Sequence, residues 1–129
     1  MKKAISKNGF RGAKKLGSFG ELIAVRYLQS HGYIIVGRNV YARCGEIDVV
    51  AVDGDTKEYV FVEVKLRRTS QFGDGIYAIN EQKMKKLYMM VDYYILAHPW
   101  VRAVRIDGFF VEQKAKKRWK IEHLKNIML

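Results

Sequence analysis

The sequence predicts a single three-layer α/β domain, in which helices cover both faces of a β-sheet. The chain has 129 residues, a length that fits one domain. Hydrophobic residues make up 49% of it, which is enough for a packed core. Its periodic segments follow the order α-β-β-β-α-β-β, and a mixture of strands with two long helices is typical of α/β architecture.

A flexible basic arm is predicted over residues 1–16, followed by one domain over residues 17–129. The first fifteen residues carry six basic side chains, no acid and little apolar periodicity. Such an arm can follow a phosphate backbone, and the alternative is a tail without a binding role.

Ordered structure is predicted to begin at Ser18, with a first helix over residues 19–31. Ser18 and Glu21 have the S-x-x-E spacing of a capping box, and apolar residues follow at helical intervals. Gly32 suits the left-handed position just beyond a helix end. The short β-branched run at 33–36 then predicts a strand.

Two strands over residues 46–52 and 59–65 are predicted to form an antiparallel hairpin, because a turn signal at 53–55 separates them. The simplest register pairs Val52 with Tyr59. Both strands are apolar on both faces, which indicates that layers cover the sheet from both sides.

The second half of the chain predicts one more helix and two more strands. Apolar residues at helical spacing give a helix over 79–97. Strands are predicted over 101–106 and 109–111, with Asp107-Gly108 as the turn between them. The segment 114–129 is basic and then amphipathic, and its pattern favours neither helix nor strand.

Charge and cysteine content narrow the function classes. Lys and Arg number 24 against 13 Asp and Glu, a formal net charge of +11, which favours nucleic acid as a partner. The alternatives are a basic protein that is merely soluble, or one drawn to anionic lipid.

The single cysteine, Cys44, excludes an internal disulfide and a zinc site with paired thiolates. Without a window of ~20 apolar residues or a secretory signal, we expect a soluble, cytoplasmic protein with no membrane partner.

Two acids inside apolar strands are the first candidates for catalytic or metal-binding residues. Asp48 and Glu63 lie among Val, Ile and Phe, where an unpaired carboxylate is costly to bury. The simplest hairpin register places Asp48 opposite Glu63, and Glu46 opposite Lys65. Opposed carboxylates repel each other, so the arrangement predicts a divalent cation, Mg²⁺ or Mn²⁺, held by Asp48 and Glu63.

Neighbouring charges would complete such a site. Lys65 could orient an attacking water or neutralise charge on a phosphate. Alternatively, Glu63 and Lys65 form a structural ion-pair set with Glu46 and Asp48. Glu21 could reach the metal site from the first helix, or its carboxylate could only cap that helix. Basic side chains that could hold a nucleic-acid backbone are Arg67, Arg68, Lys83, Lys85 and Lys86.

Several of these residues also carry a family resemblance that covers nearly the whole chain after the basic arm. The matching positions are Gly17, Gly20, Glu21, Ala24, Tyr27, Leu28, Gly32, Tyr33, Arg38, Asn39, Gly45, Glu46, Ile47, Asp48, Val60 to Lys65, Phe72, Gly73, Lys83, Arg105, Ile106, Asp107, His123, Leu124 and Asn126. Their combined spacing closely resembles the YraN family of small uncharacterised proteins. That family is similar to the PD-(D/E)xK nuclease superfamily and, in layout, to archaeal Holliday-junction resolvases.

The resemblance implies a restriction-endonuclease-like core, with a mixed β-sheet flanked by helices. It implies that the helix acid is Glu21, the motif aspartate is Asp48, and the Glu-x-Lys pair is Glu63 and Lys65. Ile47 stands where the superfamily often has a proline, which shapes the backbone and is not a ligand.

The leading hypothesis is therefore a Mg²⁺- or Mn²⁺-dependent endonuclease acting on DNA rather than RNA, with branched recombination or repair intermediates as candidate substrates. The alternative is a non-catalytic nucleic-acid-binding protein that keeps the nuclease fold. A third interpretation is an adaptor or homodimer that uses an aromatic surface on the second helix, at Tyr88, Tyr93 and Tyr94.

Overall fold

The computed structural model describes residues 15–67 and 79–128. Two helices and five strands lie in this part of the chain in the order α-β-β-β-α-β-β, although the last two strands are not the two that the sequence predicted. The helices are α1 (Lys15–Ser30) and α2 (Glu81–Ala97), and the strands are β1 (Tyr33–Ala42), β2 (Gly45–Asp53), β3 (Tyr59–Arg67), β4 (Val104–Ala115) and β5 (Arg118–Leu124).

The five strands form one mixed sheet in the spatial order β1-β2-β3-β4-β5. All neighbours are antiparallel except β3 and β4, which run parallel. A parallel pair needs a crossover between its strands, and α2 lies in that connection. The predicted α/β class with a mixed, helix-flanked sheet is confirmed.

Each face of the sheet carries its own hydrophobic core. The core on the α1 side consists of Ala24, Val25, Leu28, Tyr33, Val49, Ala51, Val60, Val62, Phe109 and Val111. The core on the α2 side consists of Ile47, Val50, Phe61, Met84, Leu87, Met90, Val91 and Ile106. Alternate residues of β3 therefore point to opposite cores, which confirms that the strand is covered on both sides.

Helix α1 begins earlier than the sequence predicted. It starts at Lys15, so Ser18 lies inside the helix and the predicted capping box is wrong. Two residues assigned to the basic arm, Lys15 and Leu16, belong to the first turn. The C-terminal prediction holds, because Gly32 has a φ of 88° just after the helix end. Residues 1–14 of the predicted arm lie outside the described residues.

The register of the β2–β3 hairpin is confirmed over four pairs, from Val52↔Tyr59 to Val49↔Val62. It does not continue to the predicted pairs of Asp48 with Glu63 and of Glu46 with Lys65. The backbone N–H of Val64 instead donates a hydrogen bond to Asp48 Oδ2 at 2.8 Å. The aspartate side chain therefore replaces a backbone acceptor, and the ladder ends there.

The two strands predicted over 101–106 and 109–111 are one strand, β4, which runs through Asp107 and Gly108. The Asp-Gly pair does not form a turn because Asp107 is fully buried and its carboxylate accepts hydrogen bonds from Arg105. The segment after it forms β5, which pairs antiparallel with β4.

Helix α2 spans Glu81–Ala97 and begins two residues later than predicted. The side chain of Asn80 caps it by accepting a hydrogen bond from the N–H of Lys83 at 2.8 Å. Its buried residues face the sheet, while Tyr93 is exposed. Neither described helix has the length and apolar character of a membrane-spanning helix.

Candidate functional site

An acidic cleft of ≈ 430 Å³ opens at the end of the sheet where β2 begins and β3 ends. Among the residues that the structure describes, four carboxylates and two ammonium groups contribute to its lining. The lining residues are Glu21, Cys44, Gly45, Glu46, Asp48, Glu63, Val64, Leu66, Lys83 and Lys86. The cleft therefore contains three of the four predicted catalytic residues and two of the predicted nucleic-acid-binding residues.

Glu21 reaches the cleft because α1 lies unusually close to β3. A Cβ added at Gly20 would lie 3.3 Å from Leu66 Cβ and 3.5 Å from Val64 Cγ1, so glycine permits this approach. The next residue, Glu21, is only 3% exposed. Its Oε1 lies 3.9 Å from Arg38 Nη2. Its position in the second helical turn favours the site role over the capping role.

Asp48 lies where β2 departs from regular alternation. Ile47 belongs to the core on the α2 side and Val49 to the core on the α1 side, although residues two apart normally share a face. The hydrogen bond from Val64 N–H fixes the Asp48 carboxylate at this irregularity. One carboxylate oxygen of Asp48, Oδ2, is thereby occupied by a hydrogen bond from the backbone.

Three carboxylates converge beside this point. Oxygens of Glu21, Glu46 and Asp48 all lie within 4.8 Å of one another. Sequence reasoning placed Glu46 only in an ion-pair alternative and missed it as a candidate ligand. Its spacing of two residues from Asp48 was an available signal, but the irregular backbone at Asp48 makes simple alternation unreliable there.

Glu63 lies in the same cleft and contacts a lysine. It is 4% exposed, and its Oε2 is 3.3 Å from Lys83 Nζ on α2. Lys83 thus forms an ion pair at the cleft while its side chain stays partly exposed. The structure brings Glu63 near Asp48 and also gives it a cationic partner.

The remaining predicted site residues are placed less centrally. Lys65 is exposed on β3, two residues beyond Glu63 and on its face, and its charge acts on Glu63. Lys86 lines the cleft. The backbone of Arg67 pairs with Glu112, and Arg68 lies outside the described residues.

Burial and neighbouring charges shift the pKa values of two carboxyls in the cleft, those of Asp48 and Glu63. Burial, followed by the charge of Glu63, raises the pKa of Asp48 to about 7, although the hydrogen bond from Val64 acts against the rise; Glu21 and Glu46 add to it. Burial also raises the pKa of Glu63, and Lys83 and Lys65 partly oppose this. Such carboxyls gain from a nearby cation, which stabilises their ionised form.

A second polar cluster lies at the opposite end of the sheet and explains other residues of the family pattern. Arg105 Nε and Nη2 donate to the two carboxylate oxygens of Asp107 at 2.9 and 3.0 Å. His123 Nε2 is 2.7 Å from Asp107 Oδ2, and the N–H of Asn126 donates to Oδ1 at 2.8 Å. Arg105 also donates to Asp53 on β2. This network joins β2, β4 and β5 and thereby ties the three strands together.

The fold and the cleft together define an α/β protein with a carboxylate-lined, lysine-flanked site at one end of a mixed sheet. The chain belongs to the uncharacterised protein family UPF0102, whose model matches residues 20–111. The resemblance to the YraN family is thereby confirmed, since the two names denote the same family.

Curated members of the family match almost end to end. A UPF0102 protein of Dichelobacter nodosus is 38% identical over 116 residues, which cover 89% of this chain and 90% of the relative. One of Alkaliphilus oremlandii is 38% identical over 118 residues, covering 88% and 97%. These relatives are of similar length but carry no assigned activity in their names.

Two solved structures are similar in part. A repair endonuclease from Pyrococcus abyssi has a TM-score of 0.44 and 18% identity, covering 84% of this chain and 40% of that one. A structure of an EndoMS-dsDNA2 complex has a TM-score of 0.41 and 20% identity, covering 70% and 33%. This chain therefore spans less than half the length of either.

Proposed function

We propose that this protein is a metal-dependent nuclease that hydrolyses phosphodiester bonds in DNA in the cytoplasm. The convergence of Glu21, Glu46 and Asp48 within 4.8 Å carries the proposal. Lys83 and Lys86 in the same cleft add cations beside the acids. Acids and lysines together suit a reaction that needs both a bound cation and a bound phosphate.

The donor chemistry of the cleft fits Mg²⁺ or Mn²⁺. Both ions take hard oxygen ligands, and Mg²⁺ binds through one or two carboxylates while keeping several waters. Ligand oxygens around one Mg²⁺ ion lie about 3 to 4 Å apart, given metal–oxygen distances of ~2.1 Å. Glu21, Glu46 and Asp48 need only small side-chain shifts to meet this requirement. A bound ion would supply Lewis-acid activation and charge neutralisation at the phosphate.

The second acid predicted as a ligand, Glu63, has a different setting from Asp48. Its ion pair with Lys83 keeps the lysine at the cleft, where the ammonium can contact a phosphate oxygen. In the proposed site Asp48 is the central ligand, and Glu63 ligates the metal or positions Lys83. Lys65, exposed beside Glu63, stabilises the charge that develops on the phosphate.

The test is a cleavage assay on duplex, single-stranded and four-way-junction DNA in Mg²⁺, Mn²⁺ and EDTA. Wild type, Asp48→Asn and Glu46→Gln are compared with Asp92→Asn, which neutralises an exposed acid on α2. We expect metal-dependent cleavage by wild type and Asp92→Asn. Asp48→Asn should lose at least 100-fold in rate, an order of magnitude typical of losing a central electrostatic group, while still binding DNA.

Two results would contradict the proposal. Cleavage by Asp48→Asn at the wild-type rate would show that the cleft is not the site of reaction. DNA binding by all four proteins without cleavage in either metal would instead support the non-catalytic alternative, a nucleic-acid-binding protein with this fold.

A further inference from the structure

The turn of the β4–β5 hairpin carries a cluster of basic side chains that the proposed cleavage site does not use. The hairpin closes with the pair Ala115↔Arg118, and no acid lies between residues 113 and 121. Its exposed cations are Lys114, Lys116, Lys117, Arg118 and Lys120. Lys114 is engaged with Glu112 on β4, at 3.5 Å, which leaves the cations of the turn and of β5 as the more accessible group.

This hairpin projects from the same end of the sheet as the acidic cleft. The last pair between β3 and β4 is Arg67↔Glu112, and Glu112 pairs in turn with Lys120. The hairpin therefore extends beyond the end of β3. Alternation along β5 places Arg118 and Lys120 on the sheet face that carries Glu63, because the intervening Trp119 faces α1.

The hairpin is held against α1 at Trp119, one residue after its closing pair. Trp119 is half-buried and contacts the core on the α1 side, and its ring centroid lies 5.1 Å from that of Phe19. This contact fixes the direction in which the hairpin leaves the sheet. A cationic element with a fixed backbone needs less ordering on binding and loses less entropy than a free arm.

The distance between the cleft and the hairpin corresponds to several base pairs of duplex DNA. Lys120 is two strands away from β3 and about four residues further along than Glu63, which places it ~16 Å from that residue. The turn at Lys117 lies three residues further, at ~25 Å. At 3.4 Å per base pair, the hairpin meets the duplex about five to seven base pairs from the cleft.

We propose that the β4–β5 hairpin binds the phosphate backbone of duplex DNA about half a helical turn from the cleft. The inference rests on the proposed function, because it takes a DNA strand at the cleft as its starting point. A two-stranded β-ribbon has dimensions that a major groove admits. Lysine and arginine at its turn would contact the phosphates that border that groove.

The test measures duplex affinity as a function of salt in EDTA, where the proposed cleavage is absent. The hairpin variant is Lys117→Gln, Arg118→Gln and Lys120→Gln combined. Its matched control is Lys57→Gln, Arg102→Gln and Lys125→Gln, which removes the same charges from exposed positions at the opposite end of the sheet. Binding to a 30-base-pair duplex, a length chosen to span about three helical turns, is followed by fluorescence anisotropy.

The slope of log affinity against log salt is negative, and we expect its magnitude to decrease by about 0.9 for each phosphate that the protein no longer neutralises, up to about 2.7 in the hairpin variant. The control should keep nearly the wild-type slope. Lys117→Gly supplies a second readout, because Lys117 has a φ of 70° that glycine adopts more easily. That variant should bind DNA more weakly while its thermal unfolding midpoint stays the same or rises.

The outcomes separate this inference from the proposed function. Equal slopes in the hairpin and control variants, with normal binding by wild type, would overturn the hairpin inference alone. Absence of duplex binding by wild type would overturn both. Binding to anionic phosphatidylserine vesicles that depends on the hairpin, without duplex binding, would overturn the nucleic-acid inference in favour of a membrane surface.

Discussion

Replacing Asp48 by asparagine should stabilise the metal-free protein at neutral and alkaline pH. Burial and neighbouring acids raise the pKa of Asp48 to about 7 from an ordinary value of 3.8. Asparagine removes the charge but keeps an oxygen that can accept the hydrogen bond from Val64 N–H. The substitution therefore isolates the cost of the charge from the energy of that hydrogen bond.

The sign and size of this change in the free energy of unfolding follow from proton linkage. Between pH 3.8 and 7 the folded protein holds this proton more tightly than the unfolded chain, so the free energy of unfolding falls as pH rises. At 1.36 kcal/mol per pH unit, the cost of the Asp48 charge grows from roughly 2 kcal/mol at pH 5 to roughly 4 kcal/mol at pH 8. Asp48→Asn avoids this cost, so its advantage over wild type grows across that interval.

Urea unfolding at pH 5 and pH 8 in EDTA measures the effect directly. Asp92→Asn is the control, since Asp92 is an exposed acid on α2 and should change stability by only a few tenths of a kcal/mol. Added Mg²⁺ should stabilise wild type and shrink the advantage of Asp48→Asn, because only wild type keeps the full set of acids. A variant less stable than wild type at pH 8, or an advantage that does not change with pH, would refute the reasoning.

Two further predictions follow from the described contacts. Asp107→Asn should lower the free energy of unfolding by about 3 kcal/mol, because it removes a charge from a buried pair with Arg105. A decrease below about 1 kcal/mol, measured by chemical denaturation, would show that the network is not needed for stability. Lys83→Gln should raise the pKa of Glu63 further, since it removes the ammonium 3.3 Å away, and NMR titration of the Glu63 carboxyl should then show a more alkaline midpoint than in the exposed-site control Lys85→Gln. An unchanged midpoint would mean that the ion pair is not formed in solution.

Local patterns were enough to predict much of the fold. The turn signal between two apolar strands predicted an antiparallel hairpin, and the simplest register, Val52↔Tyr59, is the one that the structure has. Gly32 predicted the end of α1 for a similarly local reason, the left-handed conformation just past a helix. The prediction of where α1 begins was wrong, because a capping motif inside a longer helix has the same sequence pattern as one at the beginning of a helix.

The candidate site was predictable as a set of residue types but not as a geometry. Asp48, Glu63 and Lys83 could be selected because charges in apolar strands or on an inward helix face need partners. The sequence alone does not tell which charged groups these side chains contact in the folded protein. The structure pairs Glu63 with Lys83 and groups Asp48 with Glu21 and Glu46.

By itself, the sequence determined the α/β class, the order of the first five elements, the strongly basic charge and three of the acids that line the cleft, Glu21, Asp48 and Glu63. These depend on periodicity, turn chemistry and composition, which act over a few residues or over the whole chain. Only the tertiary structure decided that Glu46 joins the acidic group and that β4 continues through Asp107. Both outcomes depend on contacts between distant segments: the side chain of Asp48 ends the β2–β3 ladder, and Arg105 with His123 holds Asp107 inside the sheet.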